Sequence, residues 1–365
     1  MRHRFHALCP YFAMFPESFV EKHLAASRHT GVVFDPFCGR GTTVFQALLS
    51  GREAAGCDVN PVAFVISKAK CDPPRRQAVL SRIRELSGQF LDTVTSVESS
   101  ELDEFFRLCF HERTRAQVFF LRDALNWKRR RTDRFIAAMA LGALHGESHR
   151  SERYFSNRMP RTISTKPGYS VRWWREGQHR PPQRDVFKIL EAMTSFRFES
   201  ELPAMRGDVK LIDARCAGEK FLALYGRVTD VITSPPYLDT TNYIEDQWLR
   251  LWFLGVSLDR KVRRGDHRHT NEEMYWNFLE EVWRGIAPVL APRVRFVVRI
   301  GGRKVDLDTA RDRLEDSIGQ GTGRKVQLLD AGVTTEIQRT QANVFRGRAL
   351  PKAHEHDFSM ELLDA

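Results

Sequence analysis

Residues 31–58, GVVFDPFCGRGTTVFQALLSGREAAGCD, constrain the fold more than any other stretch of the chain. A short apolar run ends in a turn holding Gly39 and Gly41. A helical pattern over VFQALL follows, closed by Ser50-Gly51, and then a second apolar run, EAAGCD. A helix between two short strands is the crossover that lets those strands pair in parallel. Glycines at the carboxyl end of a strand let the backbone pass close to a ligand, and the helix start offers unpartnered N–H groups. The pair does not match the dinucleotide fingerprint, because no third glycine follows, and it lacks the Lys-Ser/Thr of a phosphate-binding loop. Asp58 stands at the tip of the second strand. It suits a ribose with both hydroxyls free, or it caps the turn into Asn60-Pro61. Loop and acid together suggest an adenosine-bearing ligand without a pyrophosphate.

A second corner lies at 228–237, where the apolar run VTDVIT meets Ser234-Pro235-Pro236-Tyr237. Proline cannot donate to a sheet ladder, so the strand must end there. Read alone, the corner is a strand-ending turn with a buried tyrosine. Read with the upstream loop, it is a rigid kink presenting a hydroxyl and a ring at one end of a sheet.

The rest of the chain fills in one interrupted domain. PESFVEKHLAASR, 16–28, has a proline early and apolar residues at helical spacing. From about 75 to 147 the pattern is helical, and 185–193 is helical again. The stretch 148–185 is loop-like, basic and aromatic. Strand patterns return at 208–215, 228–233, 294–302 and 325–332. The expected architecture is α/β, a doubly wound, mostly parallel Rossmann-like sheet with a largely helical insertion after the second strand. The expected boundaries are 1–72 for the cofactor loop, 73–200 for the basic helical insert and 201–365 for the remainder with the proline corner.

DPFCGRGTT followed by TSPPY closely resembles the amino-group DNA methyltransferases, which methylate cytosine N4 or adenine N6. FPESF, GCDVNP, the DAR at 213–215 and TNYIEDQWLRLWFLG after the corner extend the resemblance over most of the chain. It implies a methyltransferase sheet with S-adenosyl-L-methionine as cofactor. Asp35, Pro36, Phe37, Gly39, Gly41, Thr42 and Thr43 would hold its methionine part, Asp58 its ribose and Asp213 its adenine, with Pro16 and Ser18 closing the pocket. Arg40 replaces the commoner serine between the glycines, a change an exposed loop position tolerates and one that suits a phosphate contact. The resemblance makes Ser234, Pro235, Pro236 and Tyr237 catalytic. Serine at the first of these positions is typical of cytosine-N4 enzymes. Adenine N6, an exocyclic amine in RNA, and a catalytically silent DNA-binding module are the alternatives.

The net charge of +11 is concentrated: residues 101–198 carry 20 Lys/Arg against 11 Asp/Glu. Such asymmetry suggests a polyanion, DNA first. Lys166, Tyr169, Arg172, Trp173, Trp174 and Arg175 interleave cations with rings and are the candidate DNA-binding residues. Trp173 and Trp174 cannot both face one way on a strand, so at least one is expected in the core. His145 and His149 are spaced for one helical turn but lack a third ligand, so no metal is expected. No apolar run is long enough to cross a membrane. The N-terminus lacks the apolar stretch and cleavage site of a secretion signal. The six cysteines have no zinc-like spacing and read as reduced thiols in a cytoplasm. A cognate restriction endonuclease is the partner that the resemblance adds to DNA.

Overall fold

The computed structural model describes residues 2–11, 15–91, 103–159, 166–238, 247–256, 271–302, 306–336 and 354–364. The helices are α1 (Glu17–Ala26), α2 (Thr42–Leu49), α3 (Pro61–Cys71), α4 (Arg76–Leu91), α5 (Asp103–Cys109), α6 (Glu112–Ala124), α7 (Arg131–Ala143), α8 (Pro167–Glu176), α9 (Val186–Arg197), α10 (Ala217–Lys220), α11 (Trp248–Phe253), α12 (Glu272–Ile286) and α13 (Leu307–Thr322). The strands are β1 (Val32–Asp35), β2 (Ala54–Asp58), β3 (Asp208–Leu211), β4 (Val228–Thr233), β5 (Leu290–Gly302), β6 (Lys325–Leu328), β7 (Val333–Glu336) and β8 (His354–Leu363). Packing groups them into two compact units. One is Met1–Phe12, Pro61–Leu202 and Asn242–Gly265; the other is Ala13–Asn60, Pro203–Thr241 and Asp266–Ala365.

The second unit is the α/β body. Its sheet runs β3-β2-β1-β4-β5-β8-β6, with β7 also on β8. The first five strands are parallel and β8 is antiparallel to its neighbours. Strand order reverses between β1 and β4, so the carboxyl ends of those strands form the switch point where open α/β sheets bind ligands. All four residues of β1 are buried, as expected of a central strand covered on both faces. One face packs Phe34, Val231, Phe296, Val298 and Met360 against Leu279, Trp283 and Leu314 of α12 and α13. Residues of opposite parity meet α1 and its neighbourhood with a polar layer. There Ser27 donates to Asp230 at 2.7 Å, Arg295 donates to the His23 carbonyl at 2.7 Å, and the Arg299 guanidinium lies 4.3 Å from the Phe19 ring centroid. The sheet is therefore doubly wound, as the strand–helix–strand pattern implies.

The other unit is helical, comprising α3–α9 and α11. Helix α7 is its axis: Asp133 to Leu141 are all buried, which a helix apolar nearly all round requires. Phe106, Phe119 and Trp252 make a ring cluster with centroids 4.4–5.1 Å apart. Trp252 arrives on α11, which follows the proline corner in sequence. Arg250 Nε donates to the Leu141 carbonyl at 3.2 Å.

Two local expectations change. Residues 167–176, expected as loop, form α8, with Lys166 as N-cap and Pro167 in the first turn. A single buried ring, Trp174 against Phe105 at 5.3 Å, docks it. Helix α7 ends at Ala143, so His145 and His149 do not share a helical turn. His145 is buried and its pKa falls to about 3, from burial first and then the Arg250 charge. Among the described residues no helix is long and apolar enough to span a membrane.

Candidate active site at the sheet switch point

Strand β1 ends at Asp35 and the chain turns through Cys38–Gly41 before α2 begins. Gly39 has φ 47° and Gly41 φ 71°, the left-handed region that only glycine enters at little cost. Gly41 N–H closes the turn on the Cys38 carbonyl at 2.6 Å. Thr42 and Thr43 open α2 and are buried; Thr43 Oγ1 donates to the Ile232 carbonyl at 3.0 Å. The loop is thus tied to β4 as well as to β1.

Two carboxylates flank the loop. Asp35 accepts from Thr233 Oγ1 at 2.6 Å and from Phe37 N–H at 3.1 Å. This joins the carboxyl ends of β1 and β4 across the switch point. Asp58 accepts from Gly39 N–H at 2.9 Å and from Asn60 N–H at 2.8 Å, so the acid caps the turn into Asn60 and also fixes the glycine loop. Burial raises both carboxyls to about 6; hydrogen bonds to each only partly oppose it. The folded state thus binds protons more tightly than an unfolded carboxyl at 3.8. Across pH 3.8 to 6 these two groups withdraw stability as pH rises, and above that range the cost is constant.

Asp213 sits at the end of β3 as the cap of a short 3-10 turn, accepting from Arg215 N–H at 3.0 Å. Its carboxylate also takes the Arg215 guanidinium at 2.8 Å, and Arg215 pairs with Glu281 at 2.8 Å. Pro16 and Ser18 are exposed at the start of α1. Arg40 overturns its expectation. It is 4% exposed, and its Nη2 donates to Glu17 Oε1 at 3.0 Å, an ion pair fastening the loop to α1. A guanidinium spent on Glu17 is not an exposed phosphate contact.

At the end of β4 the chain leaves the sheet as Ser234-Pro235-Pro236-Tyr237. Ser234 is half-buried and Tyr237 buried. The Tyr237 hydroxyl donates to Glu355 Oε1 at 2.7 Å, and Arg299 Nη1 donates to Glu355 Oε2 at 3.1 Å. Sequence reasoning missed Glu17, Thr233, Arg299 and Glu355. The signal for the last two was present: an arginine inside the apolar run VRFVVRIGG, and acids within the final strand, HEHDFSMELL.

Residues 3–69 match the family model of the N6/N4 DNA methylases. Over that segment the chain resembles the amino-group DNA methyltransferases. The Type II methyltransferase M.MvaI of Kocuria varians is 32% identical over 119 residues, covering 30% of this chain and 26% of that protein. The match thus spans about a quarter of that relative's length. Two solved structures overlay loosely. The rRNA methyltransferase AviRa from Streptomyces viridochromogenes gives a TM-score of 0.33 at 12% identity, covering 98% of this chain and 94% of that one. A structure concerned with converting a disulfide bond into a thioacetal group during echinomycin biosynthesis gives 0.35 at 9%, covering 98% and 85%. Overlays this loose say nothing about the site.

Of the residues named for DNA contact, Lys166, Tyr169, Arg172 and Arg175 are exposed on α8. Arg175 pairs with Glu104. Trp173 packs on His179, with centroids 4.5 Å apart. Trp174 is a core residue, 1% exposed, with its indole N–H donating to the Arg158 carbonyl at 2.8 Å. Its inclusion as a DNA contact is corrected: the ring has no face left to offer. Among the described residues no His/Cys/Asp/Glu cluster could hold a metal.

Proposed function

We propose that this chain methylates the exocyclic amine of a nucleobase in DNA, cytosine N4 before adenine N6. The observation that carries it is the Thr233–Asp35 hydrogen bond of 2.6 Å, which supports the proline corner and the glycine loop lying side by side at the switch point. The loop fits S-adenosylmethionine: left-handed glycines that admit a close backbone approach, and a half-buried acid at the ribose position. When bound, that cofactor supplies an electrophilic methyl group.

The chain's own residues supply orientation and electrostatics. Asp35, Pro36, Phe37, Gly39, Gly41, Thr42 and Thr43 shape the methionine end; Asp58 accepts from the ribose hydroxyls and Asp213 borders the adenine. An exocyclic amine is a poor nucleophile because its lone pair is delocalised into the ring. Ser234 Oγ and the Pro235 carbonyl can each accept one of its N–H bonds and draw the nitrogen toward a tetrahedral shape. Proline fixes φ near −65°, so both acceptors are in place before the base arrives. Pro236 stiffens the same corner and Tyr237 borders the base. The base must be extruded from a duplex or arrive single-stranded. Incubation with labelled S-adenosylmethionine and either duplex DNA or total RNA tests the reading. Label confined to RNA would sink it, and nucleoside analysis of labelled DNA decides between cytosine and adenine.

A ribose contact through Asp58 requires the carboxylate. With its pKa at about 6, cofactor affinity should fall as pH drops through that value. The expected loss is about tenfold at one pH unit below the pKa. Calorimetry across pH 5–8 on the wild type and on Asp58→Asn checks this. The amide variant should bind weakly and without that slope; a wild-type affinity flat across the range would remove Asp58 from the ribose.

For the DNA contact, Lys166, Tyr169, Arg172 and Arg175 follow one another at three-residue intervals along α8, presenting cations beside a ring. Each phosphate that the protein no longer neutralises should lower the salt slope of binding by about 0.9. Lys166→Ala with Arg172→Ala is therefore expected to flatten the plot of affinity against salt. An unchanged slope would move the DNA surface elsewhere. A cytoplasmic site of action and a restriction endonuclease working on the same sequence belong to this reading, and a protection assay against nuclease digestion of host DNA tests the pairing.

A further inference from the structure

Arg40 stands between the two left-handed residues of the glycine loop, Gly39 at φ 47° and Gly41 at φ 71°. Glycine enters that region readily and leaves it as readily, so a residue between two glycines gains little stiffness from its neighbours. The backbone around Arg40 is fixed by bonds that run to β2 or stay within the turn. Cys38 N–H donates to the Cys57 carbonyl at 3.0 Å, Gly39 N–H to Asp58 at 2.9 Å, and Gly41 N–H to the Cys38 carbonyl at 2.6 Å. Packing on β2 adds to this: a Cβ at Gly56 would stand 3.2 Å from Cys38 Cβ. The Arg40 guanidinium instead reaches α1, where its Nη2 donates to Glu17 Oε1 at 3.0 Å.

Helix α1 is a fixed post for that contact because the sheet holds it. Arg295 of β5 donates to the His23 carbonyl at 2.7 Å, and Ser27, just past the helix end, donates to Asp230 of β4 at 2.7 Å. The Arg299 guanidinium of β5 covers the Phe19 ring at 4.3 Å. Glu17 stands in the first turn, where Phe19 N–H meets the Pro16 carbonyl at 3.1 Å, and a carboxylate is favoured at that end of a helix. The Arg40 and Glu17 side chains are 4% and 18% exposed, so dissolved salt screens their attraction little. The loop is therefore held from two directions, by β2 through backbone bonds and by α1 through an ion pair.

We propose that Glu17 and Arg40 are positioning residues for the cofactor: their ion pair holds the glycine loop in its ligand-ready shape before binding, and cofactor affinity depends on it. A loop ordered in advance has less freedom left to lose when the ligand arrives, and that saving appears as affinity. The inference rests on the S-adenosylmethionine reading of the loop and adds two residues that act through the loop's shape. Glu17 also lies between Pro16 and Ser18, the residues expected to close the pocket, so the pair ties that segment to the loop.

The full chain is compared with Glu17→Gln, Arg40→Lys, Arg40→Ala and the double variant Glu17→Gln/Arg40→Ala. Affinity for S-adenosylmethionine is read by calorimetry, well below every melting temperature, beside KM for the cofactor, kcat and the melting temperature itself. Glu17→Gln keeps the size of the side chain and removes its charge. It should weaken cofactor binding by about tenfold, the scale on which ordering a side chain and its loop lowers affinity. KM for the cofactor should rise by the same factor while kcat holds. Arg40→Ala should lose about as much and Arg40→Lys less, since lysine keeps the charge but not the planar fork. The double variant should bind no worse than the weaker single, because both changes cut one pair. A pair that serves stability alone would lower the melting temperature and leave cofactor affinity at the wild-type value. That result would overturn the proposal, as would losses that multiply in the double variant. Wild-type protein is titrated first: no binding of S-adenosylmethionine overturns the cofactor reading and the inference with it. A wild type that binds, beside a Glu17→Gln that binds equally well, overturns the inference alone.

Discussion

Alanine in place of Ser234 is expected to slow methyl transfer by about 10²–10³-fold, the cost typical of removing one preorganised hydrogen-bond partner from a reacting centre. Cofactor affinity should stay at the wild-type value, because Ser234 lies beyond the glycine loop and its removal leaves Asp35, Asp58 and the loop's backbone bonds intact. Thr233, the residue before it, keeps its bond to Asp35, so β4 should still end in the same place. The two prolines continue to fix the corner. What disappears is one of two acceptors for the amine. Single-turnover assays with labelled S-adenosylmethionine, alongside calorimetry, separate the two effects. Transfer at the wild-type rate would remove Ser234 from the chemistry.

Arg52→Ala should cost about 3–5 kcal/mol of stability, since it strands a buried charge. Asp230, in the middle of β4, is fully buried. Arg52 Nη2 pairs with its Oδ2 at 2.7 Å and also donates to the Gly31 carbonyl at 2.6 Å and Thr229 Oγ1 at 3.1 Å. Ser27 satisfies the other carboxylate oxygen at 2.7 Å. Alanine at 52 leaves Oδ2 with a 3.2 Å contact from Thr229 alone. Lysine would restore the charge but not the fork that reaches Gly31 and Asp230 together, so an intermediate loss is expected. The urea midpoint of the α/β unit is the measurement. A midpoint at the wild-type value for Arg52→Ala would show that Asp230 does not depend on Arg52. The pair also locates the stability of β4, the strand that carries the proline corner, well away from the chemistry.

The helical unit was harder to read than the sheet. The glycine loop was legible because positive φ leaves few residues to choose from, and the corner because proline cannot sit in a ladder. Helix α8 was expected as loop because it is short and lies in a basic, Gly- and Pro-containing stretch. Sequence left the inward tryptophan undecided, and packing against Phe105 selected Trp174. Arg40 was misjudged because a cation between two glycines looks exposed in sequence. Its partner, Glu17, sits on a helix that precedes the first strand.

Local sequence was enough for the parallel β1–α2–β2 unit, the family resemblance and the order of the motifs, all of which rest on backbone constraints acting within a few residues. What each polar group is paired with came from long-range packing alone. Thr233 meets Asp35 across 198 residues and Tyr237 meets Glu355 across 118. Such pairs follow from strand register, and a one-residue slip would send every side chain of the strand to the opposite face. The serine of the corner was visible from the start; the carboxylate that holds the Tyr237 hydroxyl became visible only once β8 was laid beside β5.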